Sequence, residues 1–394
     1  MKNKTSILCI MPKYTFGQRE RGLSPEYKAI YSTLKHNNYN VEYYDSLKFK
    51  GDISKINSIL LKKLKKKKFD ILFFSLSHYE ILIETLVYIK KKYDTKLINW
   101  FSDDSWKFNQ YSKYYSKYFD LVISNSQIAK NYYDKNFTPS ILSNWGCPNN
   151  WSNNSLPSKK CKLDILFIGN SYLGRKKIIN FLKEQNLNVK CYGWGWDTRV
   201  LGDNEISKKI RSAKISLNFS KSKGNIKQTK ARVFEITGSG GFCLTETSPE
   251  IKKFFKIGKE LDCFEGNDQL LIKINHYLNK NYLRDKIAKK GNLRCKNNYM
   301  YSKIIFKIIN KTEKLKKLKY VNNFEYQNMS ILDKIFFMFL KFYKIISLSL
   351  LRPFFSNEKA LKISRKLIFE IEWRLRGEKT YSSHGWCVNL FGII

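Results

Sequence analysis

The chain of 394 residues is predicted to form two α/β units in tandem, each a doubly wound parallel sheet, followed by a helical tail. Three observations predict this fold. Short apolar runs alternate with helical patterns, the alternation occurs twice, and a stretch rich in Asn, Ser and Pro separates the two series. Apolar strands alternating with helices are typical of parallel sheets covered on both faces. We therefore predict domains over residues 1–145 and 161–316 and a basic, aromatic tail over 331–394.

The first unit contains five apolar runs that predict buried strands, with helical patterns between them. The predicted strands are residues 6–11, 41–44, 70–76, 97–101 and 121–124. Ser24, Pro25 and Glu26 predict a helix start, with Ser at the cap and Pro at the first helical position. A further helix is predicted over 80–93. Residues 144–160 are predicted to be a linker.

The second unit repeats the alternation. Its predicted strands are residues 163–168, 189–192, 215–219 and 241–245, and its predicted helices are 175–185, 204–213, the segment around Arg232 and a long helical region over 267–316. Ligands of such sheets bind outside the carboxyl ends of the strands. In a chain of two units this predicts a site in the cleft between them.

The chain is strongly basic, with 73 Lys and Arg against 33 Asp and Glu and a formal net charge of +40. Three explanations are open: binding to nucleic acid, attraction to an anionic membrane, and a compositional bias toward Lys, Asn and Ile. The sequence contains no zinc-binding motif and no recognisable RNA-recognition signature, so no nucleic-acid partner is predicted.

The eight cysteines are scattered, with no two at metal-ligand spacing, which predicts free thiols in a reducing compartment. The first residues lead into an apolar strand pattern rather than a signal peptide, and no apolar run reaches the roughly 18 residues of a membrane span. We therefore expect a cytoplasmic protein.

The segment over 230–246, KARVFEITGSGGFCLTE, is the most informative motif. It predicts a short helix, a glycine turn and a strand. The carboxylate of Glu235 can accept hydrogen bonds from ribose hydroxyls, and Lys230 and Arg232 can face phosphate charge. A glycine such as Gly240 allows a backbone to approach a ligand closely. The alternative for Glu235 is a helix ion pair with Arg232 at a spacing of three.

This motif and the segments before it resemble GT-B glycosyltransferases, in the branch related to spore-coat protein CgeB. The matching segments are LDILFIGN at 163–170, YGWGW at 192–196, ISLNFS at 215–220 and GKE at 258–260. The resemblance covers residues 160–305 well and the first 150 more loosely. It implies a GT-B fold and a ribose contact by Glu235. Many retaining members carry a second glutamate eight positions earlier, where this chain has Lys227.

The resemblance also implies donor contacts near the first strand of the second unit. A basic residue at this turn, here Arg175 beside Lys176, neutralises the diphosphate leaving group in such enzymes. The turn at Asn170 and the helix after it offer backbone donors, and fixed cations stabilise a leaving group without a metal. Trp194 can stack on a base or sugar. The alternative for Arg175 and Lys176 is that they are exposed basic residues without a binding role. The alternative for Trp194 is that its indole packs in the core.

In the first unit, three side chains follow predicted strands and are candidates for acceptor contact or general base. Asp103 and Asp104 follow the fourth strand, and His78 follows the third. For either Asp, helix capping is a strong alternative. The loop after the first strand carries Arg19 and Arg21, which are candidates for contact with acceptor or phosphate.

These observations together predict a metal-independent, hexosyltransferase-type glycosyltransferase that uses a nucleotide-sugar as substrate and needs no cofactor. The expected acceptor is a cell-envelope or surface glycan, or a lipid-linked one. Two other classes are open. The lysine at position 227 leaves room for a nucleotide-sugar epimerase on the same fold, and the net charge leaves room for a non-catalytic basic binding protein.

The tail differs from both units in composition. Residues 331–355 mix aromatic and aliphatic side chains with Lys334, Lys341, Lys344 and Arg352. Two interpretations are open: an interfacial helix on an anionic bilayer, which would place the protein on the inner face of the plasma membrane, and a helix packed back on the first unit.

Overall fold

The computed structural model describes residues 3–49, 53–76, 80–112, 115–136, 138–222, 226–317, 331–357 and part of 359–371. The chain divides into two compact units. The first contains Met1–Tyr27, Asn38–Leu142 and Lys311–Ile394, and the second contains Lys28–Asn37 and Ser143–Asn310. Each unit is built on its own parallel sheet.

The first sheet has six parallel strands in the order β2-β1-β3-β4-β5-β6. They are β1 Asn3–Met11, β2 Tyr39–Asp45, β3 Ile71–Phe74, β4 Lys96–Phe101, β5 Leu121–Ser124 and β6 Ser140–Leu142. The side chains of β3 and β5 are buried throughout, because helices cover both faces of the sheet. All five predicted strands are present; the sixth, β6, was not predicted.

Helical segments connect these strands. A π-helical turn, Tyr27–Ser32, leads into α1 Thr33–His36, and the longer helices are α2 Ile53–Lys66 and α3 Ile83–Lys92. Two more follow as α4 Asp104–Lys107 and α5 Gln127–Lys135. The predicted helix start at Ser24 is confirmed: its hydroxyl oxygen accepts a hydrogen bond from the Tyr27 backbone N–H at 3.1 Å.

The second sheet has five parallel strands in the order β11-β10-β9-β7-β8. They are β7 Leu163–Ile168, β8 Val189–Tyr192, β9 Ala213–Asn218, β10 Cys243–Glu246 and β11 Asp262–Phe264. The helices are α6 Arg175–Glu184, α7 Asp203–Arg211, α8 Ala231–Gly238, α9 Ile251–Phe254, α10 Gly266–Asn279, α11 Asn281–Asn298 and α12 Tyr301–Lys314. The long helical region predicted over 267–316 is thus three helices.

The segment over 144–160 contains only two short 3-10 turns, and it packs on the second unit. Cys147 and Trp151 are buried in a core cluster of that unit. The hydroxyl of Ser158 donates to the Asp285 carboxylate at 2.6 Å, and the guanidinium of Arg284 donates to the Leu156 carbonyl at 2.8 Å. Residues 144–160 therefore have the composition of a linker but are held in place by packing on the second unit.

The tail begins with α13 Ile331–Leu351, and one face of this helix packs on the core of the first unit. Leu340 is fully buried there, and Phe336 and Tyr343 pack beside it. Ile368, in the helical residues after 356, joins the same cluster. Of the two interpretations of the tail, packing on the first unit is therefore correct for one face of α13. Within the described residues, no helix is long and apolar enough to cross a membrane.

Candidate functional site

The strand order of the second sheet indicates where a ligand is expected. The chain adds β8 on one side of β7 and then adds β9, β10 and β11 on the other side. Connections therefore leave β7 and β9 in opposite directions, which opens a crevice at the carboxyl ends of these two strands. The loops that border the crevice are residues 169–174 and the described parts of 219–230, which are 219–222 and 226–230. Both contain donor-binding residues predicted from the sequence.

Arg175 lies at the first position of α6, beside the loop that leaves β7. Its Nη1 donates to the side-chain oxygen of Asn170 at 2.6 Å and to the Asn170 carbonyl at 3.2 Å. The guanidinium also lies 5.9 Å from the centre of the Phe167 ring. Burial lowers the pKa of Arg175, and the negative charge of Glu246 opposes this effect. The structure therefore brings together Arg175 and Asn170, two of the residues predicted to bind the donor.

Glu246, at the end of β10, organises the loop that follows β9. One of its carboxylate oxygens accepts hydrogen bonds from the backbone N–H groups of Ser220 at 2.9 Å and Lys221 at 3.3 Å. The other lies 3.1 Å from the Nζ of Lys227. Lys227 replaces the second acid of the two-glutamate pattern, so the loop carries a cation where that pattern has a carboxylate. Sequence reasoning did not single out Glu246.

The helix α8 and the residue before it carry three of the predicted donor-binding residues. Lys230 precedes the helix and donates to the hydroxyl of Ser222. Arg232 Nη1 lies 2.7 Å from a carboxylate oxygen of Glu235, so the ion pair considered as the alternative for Glu235 is present. Both side chains keep some exposure, 21% for Arg232 and 16% for Glu235. The pair is accessible enough for a ligand to contact it.

Two guanidinium donors at this edge make no hydrogen bond within the described residues. They are Nε of Arg175 and Nη1 of Arg232, and both are shielded from solvent. Arg232 Nη1 nevertheless forms the 2.7 Å ion pair with Glu235, whereas no hydrogen bond compensates the burial of Arg175 Nε. Anionic ligands are the groups that guanidinium donors bind best.

The segment over 192–196 packs against the loop after β7. The indole N–H of Trp196 donates to the Gly169 carbonyl at 2.8 Å, so this indole holds the loop in place. Trp194 is 42% exposed, and its carbonyl accepts a hydrogen bond from the Ser171 N–H at 3.0 Å. Trp194 therefore presents an aromatic surface at the edge where the donor is expected, whereas Trp196 is a packing residue.

Gly240 lies before the start of β10, at the edge of the sheet opposite to Glu246. Its φ of +86° favours glycine, and a Cβ there would lie 2.7 Å from the backbone carbonyl of Asn154. The close approach predicted at Gly240 is therefore an approach to the chain's own backbone, and the structure separates this glycine from the cationic residues of the opposite edge.

In the first sheet the strand order gives the same kind of crevice between β1 and β3. The chain leaves these strands through residues 12–26 and 75–82. Glu26 lies on the first connection and Glu80 on the second, and Asp103 and Asp104 follow β4. Carboxylates therefore gather at the carboxyl edge of this sheet. His78 lies on the second connection but outside the described residues.

Asp104 is enclosed, with 2% exposure. Its carboxylate accepts hydrogen bonds from the hydroxyls of Ser124 at 2.6 Å and Tyr133 at 2.9 Å. Burial raises the pKa of Asp104 to about 7, although the hydrogen bonds act in the opposite direction. A substrate could reach this carboxylate only if the surrounding side chains moved.

Asp103 is half-buried, and its backbone carbonyl begins the short helix α4 while its side chain makes no capping hydrogen bond. Beside it lies Glu26, whose pKa is raised to about 6 by burial and, to a smaller extent, by the charges of Asp103 and Glu80. Sequence reasoning singled out Asp103 but not Glu26 or Glu80 as a candidate, because a single acid near a helix start has no distinctive pattern.

The described residues contain no group of three or more His, Cys, Asp or Glu side chains arranged to hold a metal ion. The seven cysteines among them are all free thiols, and six are buried. Burial raises the pKa of the Cys9, Cys191 and Cys243 thiols, so they pack as small apolar side chains.

Comparison with known proteins gives two kinds of match. Residues 175–310, all within the second unit, match the family model described as Glycosyl transferase-like. No curated protein has a significantly similar sequence. Among solved structures, the chain is similar to sucrose-phosphate synthase from Thermosynechococcus elongatus, with a TM-score of 0.57 and 9% identity over 78% of this chain and 98% of that one.

Two further similar structures were determined with nucleotide ligands. HepE from Anabaena, solved with UDP and glucose, has a TM-score of 0.53 and 12% identity over 79% of this chain and all of that one. The T4 phage protein BGT, solved with UDP-glucose, has a TM-score of 0.50 and 15% identity over 78% of this chain and all of that one. The fold is therefore that of GT-B glycosyltransferases: two parallel-sheet α/β units with a helical carboxyl-terminal region.

Proposed function

We propose that this protein is a glycosyltransferase that binds a nucleotide-sugar at the carboxyl edge of its second sheet. One observation carries the proposal: the segment that matches the family model holds Arg175, whose buried Nε makes no hydrogen bond within the described residues, and Arg232, whose buried Nη1 forms an ion pair with Glu235. A diphosphate offers oxygens of the charge and geometry that such donors bind. The resemblance to the CgeB-related branch stays a prediction.

Within this proposal each side chain of the edge has a task. Arg175, Lys227 and Lys230 neutralise the diphosphate as it leaves, which fixed cations can do without a metal. Glu235 accepts hydrogen bonds from the ribose, in exchange for part of its pairing with Arg232. Trp194 stacks on the base or sugar. Glu246 acts indirectly, because it holds the backbone of Ser220 and Lys221 and so positions the loop.

The first sheet supplies the acceptor side of the reaction in this proposal. Transfer to a hydroxyl requires a group that takes the hydroxyl proton. Asp103 is the proposed base, since it is half-buried and follows β4 at the carboxyl edge, whereas Asp104 is enclosed. Glu26 lies close enough to interact with Asp103 electrostatically and would tune it. The proposed acceptor is a cell-envelope or surface glycan, which rests on the sequence resemblance.

The proposal is tested by calorimetric titration of the full chain with UDP, GDP and UDP-glucose, with and without EDTA. We expect at least one of them to bind, with equal affinity in EDTA. Replacing Glu235 with Ala should weaken binding by roughly 10- to 100-fold, the worth of hydrogen bonds to a charged group. The exposed acid Glu184 on α6 provides the control, since Glu184→Ala should bind as the unmodified chain does.

Thermal unfolding without ligand separates a binding defect from a folding defect, and Glu235→Gln keeps an acceptor if the Ala variant unfolds. Full affinity in a folded Glu235→Ala protein would remove Glu235 from the site. If UDP-glucose is converted to another sugar nucleotide in the absence of any acceptor, the protein is an epimerase instead, an alternative that Lys227 at the position of the second acid keeps open.

A further inference from the structure

The tail helix α13 has two apolar faces, and only one of them is covered. The covered face packs on the first unit through Leu340 and Leu348, which are 0% and 6% exposed. The opposite side, which we call the outer face, consists of Ile335, Met338, Phe339, Phe342, Ile345 and Ile346. Their exposures range from 41% at Ile346 to 64% at Met338. Large apolar side chains exposed together on one helix mark an interaction surface.

Cations border this outer face along one side. In an α-helix each residue turns about 100°, so positions seven or eleven apart lie nearly above one another. Lys334 and Lys341 have the first of these spacings, and Lys341 is exposed; Arg352, which is also exposed, follows directly after the helix ends at Leu351. From residue 334 to residue 357 the sequence contains no Asp or Glu. The surface is therefore an apolar stripe with a positive border, and the acids nearest to it in sequence are Asp333, in the first turn of α13, and Glu358, after the helix.

We propose that the outer face of α13 seats the protein on an anionic lipid surface, with its phenylalanine and isoleucine side chains among the acyl chains and its cations at the headgroups. An interfacial helix has this division into apolar and basic sides. Each cation held near an anionic surface raises the partition coefficient roughly fivefold. Phe354, just after the helix, is also an exposed apolar side chain, at 79%.

A second copy of the chain is the less suitable occupant. Two outer faces brought together would place like charges at their borders, and each chain carries a net charge of +40. An anionic membrane has the complementary sign. The covered face can pack on the first unit while the outer face contacts a membrane, because the two faces lie on opposite sides of one helix. The proposal goes beyond sugar transfer and does not depend on it.

The experiment is co-sedimentation of the full chain with vesicles of phosphatidylcholine alone or mixed with phosphatidylglycerol. We expect binding to the anionic vesicles to exceed binding to the neutral ones at least tenfold. The double variant Phe339→Gln, Phe342→Gln should bind anionic vesicles at least tenfold more weakly. Its control is Ile272→Gln, Phe306→Gln, which removes two exposed apolar side chains from helices of the second unit.

Charge is tested separately with Lys341→Glu, Arg352→Glu against Lys289→Glu, Lys307→Glu, exposed lysines of α11 and α12 whose replacement changes the net charge equally. Only the first pair should lose most of the binding. The altered residues are exposed, so melting temperature and nucleotide affinity should stay unchanged. Equal losses in both pairs, unchanged binding in the outer-face variants, or equal binding to neutral vesicles would overturn the proposal, as would a dimer in sedimentation that the outer-face variants abolish.

Discussion

The two sheets share one strand order around their crevice but differ in the charged side chains near its carboxyl edge. In the first unit the connections after β1, β3 and β4 bring in the acids Glu26, Glu80 and Asp103, with Arg19 and Arg21 also on the first connection. In the second unit the corresponding connections bring in Arg175 and the lysines of the loop over 219–230. One topology thus offers the same location twice. In the proposed reaction, the side chains suit the first location to a hydroxyl that loses a proton and the second to a phosphate that leaves.

The largest effect expected from this comparison is on turnover. Asp103→Asn should lower the transfer rate by roughly 10²- to 10⁴-fold, the usual contribution of a general base. The affinity for the nucleotide should stay the same, because the cations that bind it belong to the other sheet. Steady-state transfer and calorimetry on the same preparation measure both quantities. A variant that transfers normally, or one that loses nucleotide affinity as well, would contradict the division of tasks.

Asp104, the enclosed acid near the same edge of the first sheet, should affect the stability of the protein rather than its turnover. Its pKa in the folded protein is about 7, above the ordinary 3.8, because it is buried. The folded state therefore binds the proton more tightly than the unfolded chain does, and this group makes the protein less stable as pH rises from about 4 to 7. The penalty above pH 7 is on the order of a few kcal/mol.

Replacing Asp104 with Asn removes this titration and keeps an acceptor for Ser124 and Tyr133. Melting temperatures measured across this range should therefore fall less steeply with pH in the variant than in the unmodified chain. Asp134 provides a control carboxylate, because its pKa is shifted in the opposite direction from that of Asp104. Burial acts to raise its pKa, but hydrogen bonds from Lys130 and Ser140 outweigh it and lower the pKa. Parallel pH profiles for the unmodified chain and Asp104→Asn would show that Asp104 titrates normally.

Much of this fold could be predicted from the sequence because its signals are local. Runs such as 71–74 and 165–168 are continuously apolar, as is typical of buried parallel strands. The two missed strands, β6 Ser140–Leu142 and β11 Asp262–Phe264, have only three residues each, and the second begins with an acid. An acid can occupy the buried position of Asp262 because Lys273 and Tyr277 each donate a hydrogen bond to its carboxylate at 2.8 Å. No local sequence pattern reveals these contacts.

The site was predictable only in part, because its geometry depends on strand order. Glu235 and Arg175 lie in recognisable motifs, but Glu246 matters through its bonds to the loop after a neighbouring strand, and Glu26 through acids distant in sequence. Gly240 shows the opposite case. Its glycine signal was correct, yet the close approach it permits is to Asn154, at the other edge of the sheet. The tail, too, was predictable only in part. Its composition predicted an amphipathic helix, but not which face of the helix would pack on the first unit.

Hydrogen exchange with and without UDP tests the central claim most directly, since it reports where on the chain the nucleotide binds. We predict that saturating UDP slows exchange in peptides that cover 169–176 and 226–235 in the second unit and leaves peptides that cover 12–26 and 102–107 in the first unit unchanged. Protection confined to the first unit would contradict the assignment of phosphate to the cationic edge.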